Sequence, residues 1–516
     1  MSTSTEEFKS YLEKGYTFKK SDSIIIGCAM LDEEPVQGAQ VKIPLKSMNR
    51  HGLIAGATGT GKTKTLQILA EQLSQNGVPC LLMDLKGDLS GLARPGELND
   101  HITWRHDMIQ TPYEATGFPI EFLTLSDEPG ARLRATVTEF GPVLLSKILE
   151  LNSTQSGIMA LVFKYCDDNK LPLLDLKDLK RTLQFLINEG KEEIEGEYGR
   201  VSSASVSTIM RKIIELEQQG AEAFFGERSF DVNDLVRHDE DGNGILSVIR
   251  LTDIQDRPKL FSTFMLSLLA EVYSQFPEEG DMDKPKLCIF IDEAHLIFDN
   301  ASDALLDQIE AIVKLIRSKA VGVYFVTQNP TDVPDAVLSQ LGLKVQHALR
   351  AFTAKDRRNI KRTAENYPLS DYYKTDEVLT SLGIGQALIT ALNEKGIPTP
   401  LAATLLRAPQ SRMDILTKKE IKAVVADSDI ITKYNEVIDS KSAYEILQEK
   451  LEKASSEEVQ KENAKTRKKA AKEVKGAKEA SMFETMSKNT MMRQLGRTVV
   501  RELTRGLLGA LGVKRR

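Results

Sequence analysis

The chain has 516 residues, of which 41% are hydrophobic and 28% are charged, and its formal net charge is −6. This length allows two or more domains with a large core, and the composition is that of an ordinary soluble protein. The acidic balance, with a pI near 5.8, argues against a protein that coats nucleic acid or membrane with its whole surface, but it leaves room for a local basic site.

The cysteines and the first residues indicate a cytoplasmic protein. The four cysteines are far apart in the chain, and Cys80 and Cys288 lie in apolar, strand-like runs. This pattern predicts neither a disulfide framework nor a zinc site. Residues 1–20 are polar and charged, and no run of eighteen apolar residues occurs, so we expect neither a signal peptide nor a membrane-spanning helix.

The rest of the chain is organised around a glycine-rich stretch, GATGTGKT, at Gly56–Thr63. A short apolar run precedes it, and apolar residues at helical spacing follow it as far as Leu73, which predicts a strand, a phosphate loop and a helix. Glycines allow backbone N–H groups to turn inward around phosphates. Lys62 can then reach the β- and γ-phosphates, while the hydroxyl of Thr63 can bind Mg²⁺ beside the positive end of the helix.

We expect a nucleotide to be bound by the loop and the first helical turn: Gly56, Ala57, Thr58, Gly59, Thr60, Gly61, Lys62, Thr63 and Thr65. The alternative is a glycine turn that happens to precede Lys-Thr. The strand before the loop and the helix after it favour nucleotide binding.

A second stretch with chemical character is KLCIFIDEAH, at Lys286–His295. Its five apolar residues predict a strand that is buried on both faces and that ends at Asp292 and Glu293. In a phosphate-loop enzyme, the first acid holds Mg²⁺ with the loop threonine and the second polarises the attacking water. Taken alone, two acids that cap the next helix would be the simpler interpretation. The loop residues upstream favour the catalytic one.

A third buried strand is predicted at Val321–Thr327, and it ends at Gln328. An amide at this position can hydrogen-bond a γ-phosphate or the water beside it, although an ordinary loop amide fits equally well. Arg317 closes the preceding helix. It either complements the helix dipole or acts as an arginine finger in a neighbouring subunit's site.

A polar turn follows another predicted buried strand, CLLMD, at residues 80–84. Asp84, Lys86 and Asp88 lie where the carboxyl ends of parallel strands present groups to ligands. A solvated polar turn is an equal alternative, so their role stays open.

The remaining patterns predict the domain organisation. Residues 1–50 hold two strand candidates and are interpreted as a cap, and helical spacing predicts an α-helical insertion at 126–235. The ATPase core is expected at 51–125 and 236–408. Its other elements are predicted as follows: strands at 245–251 and 345–351, a basic helix with a solvated face from Thr353, and a hairpin over 387–406 that closes the sheet's edge.

The C-terminal hundred residues differ in composition. Residues 409–480 are expected to form a charged linker, helical or disordered, and 481–516 a basic amphipathic segment. The last part, 491–516, has an apolar face beside arginines that recur every four residues. This pattern is typical of a segment that contacts a membrane surface, nucleic acid or a partner protein, and packing onto the chain's own ATPase domain is an equal alternative.

The order of these motifs resembles a known group. The succession strand–GATGTGKT–helix, FIDEAH and FVTQNP is similar to the additional-strand division of phosphate-loop ATPases. Within it, NRHGLIAGATGTGKT and IRSKAVGVYFVTQ resemble the HerA/FtsK superfamily. DLKGDLSGLA and QHALRAFTAKD add a resemblance to the bacterial HerA-like proteins of the YjgR type, over roughly residues 20–410.

This resemblance implies an α/β fold: a RecA-like P-loop NTPase core of the additional-strand type, with a mostly parallel sheet. It also implies a homo-oligomer, a hexameric ring that couples hydrolysis of Mg²⁺·ATP to pulling DNA through a central channel. The residues that match the family's motifs are Lys62 and Thr63 for Walker A, Asp292 and Glu293 for Walker B, Gln328 for the sensor and Arg317 for the trans-acting arginine, with Arg350 as the alternative for the last.

The sequence departs from archaeal HerA in the length of chain before the loop, and it leaves three functional classes open. About fifty residues precede the loop, too few for the N-terminal β-barrel of archaeal HerA, so the nuclease partnership of that barrel is in doubt. The first class is a DNA-translocating motor, which the resemblance favours and the acidic charge opposes. The second is an ATP-driven remodeller of membranes or proteins, suggested by the basic tail. The third is a nucleotide-dependent assembly scaffold that recruits partners through its Lys/Glu-rich tail.

Overall fold

The computed structural model describes residues 3–253, 257–280, 282–298, 303–436, 438, 440–453, 455, 456 and 465. It divides into two units, Met1–Leu447 and Gln448–Arg516. The first unit contains the sheet and the candidate site. In the second unit, the described residues form a short helical stretch. The predicted basic segment at 481–516 lies outside the described residues.

One twelve-stranded sheet forms the centre of the first unit. Its strands are β1 Ser23–Leu31, β2 Glu34–Pro44, β3 Gly52–Ala55, β4 Cys80–Asp84, β5 Ile120–Thr124, β6 Ala131–Arg132, β7 Leu246–Arg250, β8 Leu287–Ile291, β9 Val321–Thr327, β10 Leu343–Gln346, β11 Gln386–Thr390 and β12 Ala402–Leu406. Across the sheet the order is β2-β1-β12-β11-β10-β3-β9-β8-β4-β7-β5-β6.

The α-helices flank and connect these strands. They are α1 Thr3–Gly15, α2 Lys62–Gln75, α3 Asp100–Ile109, α4 Val137–Ile148, α5 Ser153–Asp168, α6 Leu176–Ile187, α7 Lys191–Glu197, α8 Ser203–Gln218, α9 Pro258–Gln275, α10 His295–Phe298, α11 Asp303–Ile316, α12 Asp335–Leu338, α13 Ala354–Glu365, α14 Thr375–Ser381, α15 Lys418–Ala426 and α16 Ile431–Asn435. Among the residues that the structure describes, no helix has the length and hydropathy needed to cross a bilayer.

The sheet confirms the predicted fold class. All strands from β10 to β6 pair in parallel, and the antiparallel pairings are confined to the other side of β10. Strand β9 lies between β3, which leads into the phosphate loop, and β8, which ends at Asp292. This inserted strand is the additional strand of the predicted RecA-like type. The residues of β3, β4, β8 and β9 are all buried, as expected for parallel strands covered on both faces.

Helices α4 to α8 occupy the region between β6 and β7, where the sequence predicts a helical insertion. Capping boxes begin α4, α5 and α6, with Thr136, Asn152 and Asp175 as the N-cap residues. Each box satisfies backbone N–H groups that a helix start leaves without a partner. The limits of this insertion as a separate domain remain a prediction.

The N-terminal strands extend the main sheet instead of capping it. Strand β1 pairs antiparallel with β12, with Gly27 opposite Leu406, and β2 lies at the edge. The predicted hairpin exists as β11 and β12, but the expectation that it closes the sheet's edge is wrong. Every residue of β12 is buried, so β12 needs a partner on each side, because an edge strand exposes a row of unpaired backbone groups.

The chain after residue 408 remains packed against the core for a further forty residues or so, where the sequence predicts a linker. The reason is a buried carboxylate on the phosphate-loop helix. Glu71, which is 1% exposed, accepts hydrogen bonds from the backbone N–H groups of Gln410 (2.8 Å) and Ser411 (3.0 Å) and from the Ser411 hydroxyl. Further along, Tyr434 and Leu447 are fully buried. A few buried side chains thus anchor a segment whose overall composition is hydrophilic.

We predict that Glu71→Ala lowers the free energy of unfolding of the first unit by about 2 kcal/mol or more, because three buried donors lose their acceptor. Urea unfolding followed by circular dichroism measures this change. The control is Glu197→Ala, at an exposed position in α7, which should change the free energy by no more than about 0.5 kcal/mol. Equal effects of the two substitutions would contradict the anchoring role of Glu71.

Candidate nucleotide-binding site

The phosphate loop has the backbone that its glycines predict. Gly56, Gly59 and Gly61 have φ angles of 152°, 78° and 111°, a region that residues with a Cβ rarely adopt. At Gly56, a Cβ would also lie 2.5 Å from the Cβ of His347. Gly61 is the N-cap residue of α2 and makes no side-chain cap. The first N–H groups of this 14-residue helix are therefore available to an anion.

Lys62 is buried at the first position of α2, and its ammonium group folds back across the loop. Its Nζ donates hydrogen bonds to the carbonyl oxygens of Gly56 (2.7 Å) and Ala57 (3.2 Å). Burial lowers the pKa of Lys62, and the charge of Lys86 lowers it further, while Glu293 and Asp292 oppose the shift. These four charged side chains therefore form one electrostatic cluster.

The other loop residues differ in their exposure to solvent. Thr58 and Gly59 are exposed, whereas Thr63 is half-buried at the start of α2. Thr60 is buried, and its hydroxyl donates to the carbonyl of Ala57 (2.7 Å). These positions suit phosphate binding from the open side of the loop.

The sequence predicts that Thr65 binds nucleotide, but in the structure its side chain points into the protein. Its side chain is fully buried, and its Oγ1 lies 2.8 Å from Nε2 of His347. One turn into α2, the side chain faces the interior beneath the loop. Thr65 therefore supports the loop from below instead of facing a ligand.

His347 is a residue of the site that sequence reasoning missed. It follows β10, and its N–H donates to Ala55 (2.7 Å), while the next residue, Ala348, accepts from Ala57 (2.9 Å). Burial, followed by the charge of Lys62, lowers the pKa of His347 to about 4, so the ring stays neutral near pH 7. These contacts turn the chain beneath the loop, which is why β10 ends at Gln346 and not near residue 351 as predicted. The sequence signal is a polar residue placed directly after a buried strand.

The two predicted carboxylates follow β8. Asp292 and Glu293 are 4% and 7% exposed, and Oδ1 of Asp292 accepts from the N–H of Glu293 (2.9 Å). Burial raises the pKa of Asp292 to about 6, against the charge of Lys86. Glu293 has a φ of 47°, in the left-handed region that non-glycine residues rarely occupy. Strained backbone of this kind is concentrated at functional sites.

The carboxylate of Glu293 has two unlike oxygens. Oε1 pairs with the ammonium group of Lys86. Oε2 is buried and has no hydrogen-bond partner among the described residues, although Nδ1 of His295 lies 3.3 Å away. Oε1 is thus ion-paired with Lys86, and Oε2 lies beside the ring of His295.

Two charged residues of the polar turn after β4 make different contacts. Asp84 is buried, and its carboxylate accepts hydrogen bonds from the N–H groups of Gly87 (2.7 Å), Asp88 (3.1 Å) and Leu89 (3.1 Å). Burial raises the pKa of Asp84 to about 7. Asp84 therefore builds the turn, whereas Lys86 reaches the candidate site.

Gln328 and Arg317 lie at opposite ends of β9. Gln328 is exposed just beyond Thr327. The carbonyl of Thr327 accepts a hydrogen bond from the N–H of Gly56 (3.3 Å), so Gln328 lies at the same end of the sheet as the phosphate loop. Arg317 is exposed in the turn that precedes β9. Seven strand residues span roughly 20 Å, so Arg317 does not reach the loop of its own chain. Arg350 is exposed on the loop's side of the sheet and donates to the carbonyl of Thr380 (3.4 Å).

The donor set fits Mg²⁺. A threonine hydroxyl and a carboxylate are oxygen ligands of the type that Mg²⁺ accepts alongside phosphate oxygens and water. Asp292 is desolvated at the end of its strand, and the buried carboxylate of Glu293 follows it directly in sequence. Thr63 and Asp292 are thus the residues that would hold the ion.

The chain resembles helicases and coupling proteins in comparisons of sequence and structure. The DNA double-strand break repair helicase HerA of Sulfolobus acidocaldarius is 23% identical over 385 residues, which cover 70% of this chain and 66% of that protein. HerA of Saccharolobus solfataricus is 23% identical over 359 residues, which cover 68% of this chain and 64% of that protein. The chain therefore spans somewhat less than two thirds of the length of these relatives.

Among solved structures, the bacterial conjugative coupling protein TrwBdeltaN70 aligns with a TM-score of 0.49 at 13% identity, over 79% of this chain and 94% of that chain. A family model described as the helicase HerA-like C-terminal region matches residues 30–516. This match confirms the predicted HerA/FtsK relationship, while the narrower likeness to the YjgR type remains a prediction. The chain belongs to the HerA-like helicase C-terminal family.

Proposed function

We propose that the protein is a Mg²⁺-dependent ATPase that works as a ring-forming motor of the HerA/FtsK type. The observation that carries this proposal is the meeting of Lys62, Asp292 and Glu293 at the edge of the sheet where β3 and β8 end. In open α/β sheets, ligands bind outside the carboxyl ends of the strands. A buried ammonium group, two buried carboxylates and an open helix N-terminus at this edge suit a metal-bound triphosphate.

The residues divide the work of binding. The N–H groups of the loop and of the first turn of α2 surround the phosphates, and Lys62 exchanges its contacts with Gly56 and Ala57 for phosphate oxygens. Thr63 and Asp292 would hold Mg²⁺, which would supply positive charge to neutralise the phosphates of a bound nucleotide.

Hydrolysis is assigned to three further groups. Glu293 orients the attacking water and accepts its proton, because its carboxylate is buried at the end of β8, next to Asp292. Gln328 hydrogen-bonds the γ-phosphate from the end of β9. Arg317 serves the site of a neighbouring subunit, because it lies at the end of β9 opposite to the phosphate loop of its own chain. Arg350 is the alternative.

For the substrate we propose duplex DNA, drawn through the channel of a homo-hexamer in the cytoplasm. The relatives are named as DNA double-strand break repair helicases. Helix α13 offers a local basic face despite the acidic net charge, with exposed side chains at Lys355, Arg357, Arg358 and Lys361. The alternative of a membrane or protein contact through 491–516 depends on residues outside those that the structure describes.

The catalytic assignment predicts two different losses. Lys62→Ala should remove nucleotide binding and turnover together. Glu293→Gln should keep binding but lower turnover by roughly 100-fold or more, because it removes the base and not the phosphate contacts. Phosphate release and equilibrium binding of a non-hydrolysable ATP analogue measure these effects.

The matched controls are Lys191→Ala and Glu192→Gln, at exposed positions in α7, and both should behave as wild type. Wild-type turnover in Lys62→Ala or in Glu293→Gln would remove the basis of the assignment.

The substrate assignment predicts that duplex DNA raises the rate of ATP hydrolysis, whereas liposomes leave it unchanged. DNA binding should weaken steeply as salt increases, because lysine and arginine contacts to phosphate release counterions. Filter binding with Glu293→Gln separates DNA binding from hydrolysis. A rate that does not change with duplex DNA would contradict the DNA-motor assignment and leave the ATPase assignment standing.

A further inference from the structure

Lys86 is a charged residue at the candidate site to which the proposed mechanism gives no role. It lies two residues beyond β4, which pairs in parallel with β8 so that Met83 is opposite Ile291. The chain segments that carry Lys86 and Glu293 therefore leave the sheet side by side. The ammonium group of Lys86 pairs with Oε1 of Glu293, the proposed base.

Two ammonium groups approach the same space. Strands β3 and β4 belong to one parallel set, so Lys62, which follows β3, and Lys86, which follows β4, lie at the same end of the sheet, where two cations repel each other. The N-terminus of α2 adds further positive potential at Lys62. Converging cations of this kind are stabilised by an anion between them, and a triphosphate held by the phosphate loop, as proposed above, would supply that anion.

The pair between Lys86 and Glu293 can open at low cost. The side chain of Lys86 is 43% exposed, while that of Glu293 is 10% exposed. A pair with one solvated partner contributes little to stability, and a lysine side chain reorients easily on its flexible four-carbon stem. A γ-phosphate carries more negative charge than a carboxylate, so it competes well for the ammonium group.

We propose that Lys86 is a second phosphate-binding cation, which pairs with Glu293 in the nucleotide-free site and transfers to the γ-phosphate when ATP binds. The transfer frees Oε1 of Glu293 for the attacking water only when a γ-phosphate is present. ADP has no γ-phosphate and leaves the pair closed. This inference rests on the proposed ATPase function and adds to it a reason why the base becomes available with ATP and not with ADP.

A structural role for Lys86 makes a different prediction. If the pair only holds the turn after β4 in place, its loss affects ADP and ATP alike. The comparison of the two nucleotides therefore separates the two roles, and neither binding measurement requires hydrolysis.

The test uses the full-length protein with Mg²⁺, ADP and the β,γ-imido analogue of ATP, with affinities measured by isothermal titration calorimetry. Lys86→Met should weaken binding of the analogue about tenfold and change ADP binding by less than about twofold, as expected for loss of one charged contact. Lys86→Arg should restore much of the affinity for the analogue. Urea unfolding checks that each variant is folded.

The matched control is Lys64→Met. Lys64 is close in sequence to Lys62, but its ammonium group donates to the carbonyl of Met413 (2.5 Å) and to Gln67 (3.1 Å). Its substitution should not change the ratio of the two affinities. A control that lowers this ratio as much as Lys86→Met does would overturn the specific role of Lys86.

A double-mutant cycle completes the test. Glu293→Gln removes the competing carboxylate, so the analogue should bind more tightly than to wild type, and this gain should disappear when Lys86→Met is added. Wild-type protein that binds both nucleotides, with Lys86→Met weakening them equally or not at all, would overturn this inference alone. Wild-type protein that binds neither nucleotide would overturn the proposed function as well.

Discussion

The candidate site depends on the confinement of opposite charges at one end of a buried sheet. Lys62, Asp292 and Glu293 are each less than a tenth exposed, and burial penalises every one of these charges. They tolerate that position because they lie close enough to offset one another, with Lys86 as the half-exposed fourth member. Parallel strand pairing sets this arrangement, since it directs the ends of β3, β4, β8 and β9 to the same edge.

The sequence predicted the parts of this edge that depend on local pattern. Strands β4, β8 and β9 were predicted with their observed bounds, because strands buried on both faces are continuous apolar runs that end abruptly at a polar residue. The loop and α2 were predicted from glycine spacing and helical periodicity. The parts that depend on long-range partners were not predicted. Glu71 binds a segment more than 300 residues away, and no local pattern distinguishes it from a surface glutamate.

The same distinction applies to individual site residues. Thr65 and His347 are a buried pair whose members are 282 residues apart, so the sequence could identify Thr65 as part of the loop region but not its inward orientation. The polar turn after β4 left ligand binding and solvation as equal alternatives. In the structure Asp84 is buried and builds the turn, whereas Lys86 pairs with Glu293. Arg317 lies just before β9, at the end of that strand opposite to the phosphate loop. Its proposed role therefore requires a neighbouring subunit. Hydrolysis and ring formation are thus coupled in the proposal.

The most direct test of the central claim is a structure of the protein with Mg²⁺ and a non-hydrolysable ATP analogue. We predict the triphosphate within the 56–63 loop, the γ-phosphate within hydrogen-bonding distance of Lys62, and Mg²⁺ between the hydroxyl of Thr63 and the carboxylate of Asp292. A nucleotide bound elsewhere, or a metal ion away from both of these residues, would contradict it.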